Sequence, residues 1–114
     1  MHINAYSFGH ITVDNKEYDE DLIIFPDKIK AHWRRQDGHV LRMHDLLEVF
    51  DYQPDMLIVG TGASGQMRID PAVEDNLHND HIKCVAAATG VAVKLFNEQT
   101  EKGTKAVGVF HLTC

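Results

Sequence analysis

The longest uninterrupted apolar stretches fall late in the chain and are short. Met56-Leu-Ile-Val59 follows Asp55 and runs straight into glycine. Four residues are too few for a helix, so the run reads as a strand buried on both faces. Ala106 to Leu112 is apolar on both alternating faces except at His111, and reads as a second interior strand. Lys83 to Ala87 gives another strand, and Leu22-Ile-Ile-Phe25 a short buried one. Ser7 to Val13 alternates loosely, with Asp14-Asn15-Lys16 supplying turn chemistry. Lys28 to Arg35 alternates cleanly: Lys28, Lys30, His32 and Arg34 on one side, Ile29, Ala31 and Trp33 on the other. The first third thus predicts an antiparallel meander of three strands: Ser7–Val13, Leu22–Phe25 and Lys28–Arg35.

The period then changes. Leu46, Val49 and Phe50 form the stripe of a short helix, with Asp45 and Glu48 in capping-box spacing. Asp70-Pro71 predicts a second helix start, since aspartate caps well and proline suits the first helical position. On that helix Val73 and Leu77 face the sheet, and His78 and His81 share a face near its negative end. Thr89 is expected to cap a third helix packed through Ala92, Leu95 and Phe96, closed by Lys102-Gly103. From Asp45 onward helices and strands alternate, which predicts an α/β fold with helices covering a mostly parallel sheet. No linker or repeat interrupts residues 1–114, so one domain is expected.

Composition narrows the function classes. The 114 residues are 44% hydrophobic and 25% charged, ordinary for a globular chain. A formal net charge of −6 argues against nucleic-acid binding, which needs cation density. No apolar run approaches the roughly 20 residues that span a bilayer, so no membrane insertion is expected. Met1-His-Ile-Asn4 resembles neither a secretory signal nor the start of a transit peptide, and two cysteines cannot make a disulfide framework. The expected location is the cytoplasm.

Candidate chemistry concentrates in two places. Gly60, Gly62 and Gly65 have the G-x-G-x-x-G spacing of a dinucleotide phosphate loop. In such folds the helix opens within the glycine run, and an acid follows roughly 20 residues on. Here Asp70-Pro71 lies beyond the loop, and Cys84-Val-Ala-Ala-Ala88 contains no acid. The glycines therefore read as a tight strand exit, and no cofactor is expected. The carboxyl end of a central strand is still where open α/β sheets bind ligands. A small-molecule or anion pocket lined by Gly60, Gly62, Arg34 and His111 is thus the alternative. The second place is His111-Leu-Thr-Cys114, where a thiol role for Cys114 is a weaker alternative. No CxxC or HExxH spacing exists, so no metal is expected despite eight histidines. The Lys28/Lys30/His32/Arg34 row reads foremost as protection of an exposed strand.

Trp33-Arg34, the His39 loop, Leu57-Ile-Val-Gly-Thr-Gly62 and Val109-Phe-His-Leu-Thr-Cys114, in this order of elements, resemble the Mth-type small α/β domain family of unknown function. The likeness covers nearly the whole chain. The resemblance implies a three-layer fold with a central mixed five-stranded sheet, one strand antiparallel, and a small β element. It also implies no established activity or cofactor, since the best-described animal member works in respiratory-complex assembly through protein contacts. The matching positions are Trp33, Arg34, His39, Gly60, Gly62, His111, Thr113 and Cys114, and Gly65 lies outside the pattern. The chain departs at Val91-Ala-Val93, where the family has an acidic and polar helix start, and that animal role is not carried over.

The expectation is a non-catalytic binding or assembly-type domain. It would act through contacts with a protein partner near the glycine loop, with self-association left open.

Overall fold

The computed structural model describes residues 1–114. Strands β1 (Ile3–Ser7), β2 (His10–Val13) and β3 (Lys16–Tyr18) pair antiparallel in chain order. The alternation over Ser7–Val13 straddles a bend at Phe8-Gly9, where Gly9 takes φ 78°, instead of forming one strand. Asp14 and Asn15, at φ 48° and 66°, make the next tight turn, using the tolerance of Asx residues for left-handed backbone. The meander is therefore residues 3–18, not 7–35.

β4 (Leu22–Ile24) and β5 (Ile29–Lys30) leave the meander and join the main sheet. The expected strand over Lys28–Arg35 contracts to two residues, because His32 turns left-handed at φ 55°. Its basic row breaks up as well: Lys30 pairs with Glu48, His32 and Arg34 with Glu20, and Lys28 lies over the Phe25 ring.

β6 (Val40–Leu41) is followed by a 3₁₀ turn (Met43–Leu46) and α1 (Leu47–Tyr52). Asp45 is not the cap there. Its carboxylate reaches back to accept from the Arg42 N–H at 2.9 Å, the third-position half of a capping box, while Glu48 is spent on Lys30. Next come β7 (Met56–Thr61), β8 (Arg68–Ile69), α2 (Pro71–Asn79), β9 (Lys83–Ala87), α3 (Thr89–Glu101) and β10 (Ala106–His111). β6 and β8 form a parallel two-stranded ribbon too short for any periodic signal. Asp70 caps α2 as expected, accepting from the Ala72 N–H at 3.1 Å. His81 lies past the helix, at φ 58°, and so does not share a face with His78.

The main sheet has the order β5-β4-β10-β7-β9, with β4 alone running against the others. β7 and β10 are buried throughout. Their alternate side chains feed two cores. Leu57, Val59, Val107 and Val109 pack with Trp33, Leu41, Val49, Val73 and Leu77 on the α1/α2 face. Met56, Ile58 and Phe110 pack with Ile3, Ile11, Ala92 and Phe96 on the α3/meander face. The result is the three-layer mixed α/β arrangement expected, with parallel β9-β7-β10 produced by crossovers through α2 and α3.

Candidate functional site

At the carboxyl ends of β7 and β10 the glycine loop meets the last residues of the chain. The Gly62 N–H donates to Thr89 Oγ1 at 2.9 Å, and the Ala63 N–H to the Thr113 carbonyl at 2.7 Å. Thr89 does not cap α3. Its hydroxyl donates onward to the His111 carbonyl at 2.6 Å, and its N–H to the Gly62 carbonyl at 3.0 Å. Gly62 has φ 107°, and a Cβ there would stand 2.6 Å from the Cys114 carbonyl oxygen. At Gly60 a Cβ would stand 2.8 Å from Phe110 and 2.9 Å from Thr89 Oγ1. Both glycines exist for close approach, and the Gly62 and Ala63 amides, which could otherwise help cradle an anion, are taken by the protein.

Beside this knot lies a buried ionic cluster. His111 Nδ1 is 2.7 Å from Asp21 Oδ2, and Arg35 Nη1 donates to the same oxygen at 2.8 Å. The Leu112 N–H donates to Asp21 Oδ1 at 2.8 Å, and the Trp33 N–H to the Asp21 carbonyl. Arg35 also donates to the Gly38 carbonyl and stacks over Trp33, whose indole N–H bonds the Asp45 carbonyl. Burial alone would raise the Asp21 pKa. The hydrogen bonds from His111, Leu112 and Arg35 overcome that and hold the carboxyl below its usual value of 3.8. Tyr6, donating to the Leu112 carbonyl, is pushed upward by burial and by the Asp21 charge.

A guanidinium can only donate. His111 Nδ1 therefore serves either Asp21 as a donor or Arg35 as an acceptor, and the carboxylate favours the protonated Nδ1 tautomer. That leaves His111 Nε2 buried without a partner, as Arg35 Nε also is. An acid–imidazole pair resembles the base of a nucleophilic site. Its only neighbouring thiol in sequence, Cys114, is exposed, with its backbone against Gly62.

The third region is the opposite margin of the sheet. β9 has β7 on one side and no strand on the other. Beside it, a cleft of about 770 Å³ opens between α2 and the sheet, floored by Met67, Leu77, Ile82 and Cys84. Arg68, Glu74, His78 and Lys83 also line it. Burial, aided by the Glu74 charge, pushes the Cys84 thiol up to about 11, so it is inert at neutral pH.

The structure thus gathers Trp33, His111, Thr113, Gly60 and Gly62 around one end of the sheet. His39 is exposed, but its ring stands edge-on to His111 at 6.0 Å. Arg34 is 82% exposed and reaches only Glu20, so the buried arginine is its neighbour Arg35. Sequence reasoning passed over both Asp21 and Arg35. Arg35 continues the Ile29/Ala31/Trp33 parity, and a charge on an apolar parity was the available clue. No group of three or more His, Cys, Asp or Glu side chains is placed to hold a metal. No helix is long and apolar enough to cross a membrane.

The fold has solved relatives. A conserved hypothetical protein of Pyrococcus horikoshii is 27% identical, with full coverage of both chains and a TM-score of 0.87. A protein of Bartonella henselae described as an outer membrane protein is 22% identical over 98% of this chain and 94% of its own, with a TM-score of 0.83. A Mth938-like domain of Bordetella pertussis shares the fold at 17% identity, covering 97% of this chain and 85% of its own, with a TM-score of 0.65. The model of the family described as protein of unknown function (DUF498/DUF598) matches residues 3–111, so the chain belongs to that family.

Proposed function

We propose that this chain is a non-catalytic binding domain acting through protein contacts, and that its contact surface is the outer edge of β9 with the adjoining cleft. The observation that carries this reading is that beyond Lys83, at the start of β9, the unpaired sheet edge and the turn into α3 (Cys84–Val93) carry no charged residue. Edges without a partner are ordinarily blunted by charge, proline or a covering loop. A bare edge beside a groove formed with a helix is the arrangement that accepts an added strand, with backbone bonds giving affinity and the groove reading side chains. The glycine loop is a poorer candidate surface, since its Gly62 and Ala63 amides are engaged by Thr89 and Thr113.

The test is affinity capture with the purified chain and with Ala86→Lys, an exposed position where the change places a charge on the edge. A stoichiometric partner retained by the native chain and lost by Ala86→Lys, with unchanged melting temperature, supports the reading. Capture that is indifferent to Ala86→Lys overturns it.

The unpartnered Arg35 Nε and His111 Nε2 favour a second reading, a small-anion site. It would centre on Arg35 at the cavity of about 360 Å³ lined by Glu20, Asp21, Trp33, Arg34 and Arg35, which His111 does not reach. Stabilisation by phosphate or carboxylates that disappears in Arg35→Lys is its signature. A thiol role at Cys114 would require its alkylation rate to titrate well below the ordinary value of about 8.5.

A further inference from the structure

Backbone direction along β9 limits what can dock there. The Lys83 N–H donates inward to the Asp55 carbonyl at 3.1 Å, and the Ala87 carbonyl accepts inward from Thr61 Oγ1 at 3.0 Å. Within a strand the polar groups of successive residues point to alternate sides. Lys83, Val85 and Ala87 are therefore spent on β7, while Cys84 and Ala86 present both N–H and C=O outward. We infer that β9 pairs antiparallel with β9 of a second copy of this chain about a two-fold axis through Val85. This rests on the proposed reading of the edge as the contact surface and names its occupant.

The pairing is self-complementary. Each Cys84 exchanges N–H and C=O with Ala86 of the other copy, so every outward group of both residues is satisfied. Val85 faces its own symmetry mate across a non-hydrogen-bonded pair, the closer of the two antiparallel spacings. Lys83 falls opposite Ala87, so no like charges meet on a chain of net charge −6. α2 runs antiparallel to β9 and is joined to its start by Asp80–Ile82. Its first turns, carrying Glu74 and Asp75, thus lie towards the Ala87 end. Lys83 of the second copy arrives at that end beside Ala87, sharing the side-chain parity of Val85 and Ala87, which pack on the α3 face and not on α2. An isologous contact of this kind closes on itself and leaves neither β9 edge free. The two main sheets become one, with the two clefts side by side across the axis.

Sedimentation velocity of the native chain over a wide concentration range is the first arm, with a species of twice the chain mass expected. Ala86→Pro removes only an outward N–H, so it should leave the melt cooperative and shift the population to monomer. In a Cys84→Ser/Cys114→Ser background, Val85→Cys is expected to form a disulfide-linked dimer on mild oxidation. Opposed Cα atoms about 4.5 Å apart at such a pair lie within disulfide reach. Val91→Cys, exposed beyond the strand, should not. A native chain that stays monomeric overturns the inference, as does a dimer indifferent to Ala86→Pro that fails to crosslink through Val85→Cys. If the native chain is monomeric yet Ala86→Lys abolishes capture of another protein, self-pairing fails while the edge keeps its role as contact surface.

Discussion

The two margins of the main sheet are built on opposite plans. At the β5/β4 margin polar groups are tied down: Lys30 to Glu48, His32 and Arg34 to Glu20, and the Asp21 carboxylate to Arg35, His111 and the Leu112 amide. At the β9 margin the backbone of Cys84 and Ala86 points outward beside a charge-free stretch and an open cleft. The first margin belongs to stability, because a buried charge set punishes the loss of any member. The second pairs with β7 on its inner side only, and its outer side is free to meet another surface.

The contrast breaks first at Asp21. Asp21→Ala strands the buried Arg35 guanidinium, whose side chain is only 5% exposed, and should cost about 3–5 kcal/mol in denaturant unfolding. A loss below ~1 kcal/mol would place the cluster in an unimportant, solvated setting.

Gly62→Ala comes next. It imposes φ 107° on alanine and drives its Cβ into the backbone of Thr113 and Cys114, for an expected loss of roughly 2–3 kcal/mol in thermal or urea melts.

Acid should separate the margins without mutation. Because the folded Asp21 pKa is held below 3.8, its contribution is fully present above that value. It is lost as pH falls through the lower folded pKa. The stability gap between the native chain and Asp21→Asn, followed by chemical denaturation against pH, should therefore be constant near neutrality and narrow below pH 3.8. A gap unchanged to lower pH would mean the carboxylate is not engaged.

The smallest effects sharpen the comparison from the surface. Lys30→Ala breaks a half-exposed pair and should cost less than about 1 kcal/mol. Ala86→Lys, on the open margin, should shift unfolding by no more than ~0.5 kcal/mol. Its consequence is confined to association.

Most of the architecture was legible because it depends on local pattern. β7 and β10 announce themselves as apolar runs, Asp70-Pro71 marks the start of α2, and Gly103, at φ 84°, ends α3. The failures lie where a neighbour overrode local preference. Asp45 matches a capping residue but accepts from the amides of Arg42 and Gln36 instead. Thr89 has cap chemistry, yet it sits fully buried between Gly62 and His111 and bonds both. Leu22–Ile24 has the same apolar signature in either sheet, and only pairing with β10 decides which one receives it.

The candidate site divides the same way. From the sequence alone came the strand-exit glycines and the lone histidine in an apolar strand, because each is a departure from local pattern. Tertiary structure alone decided that Asp21 reaches across 90 positions to His111, and that residues 113 and 114 fill the space over Gly62. It also decided that β9 lies at the sheet's edge, not at its centre. Partner choice and strand order are set by competition among distant segments for one core. Residue periodicity carries no record of that competition.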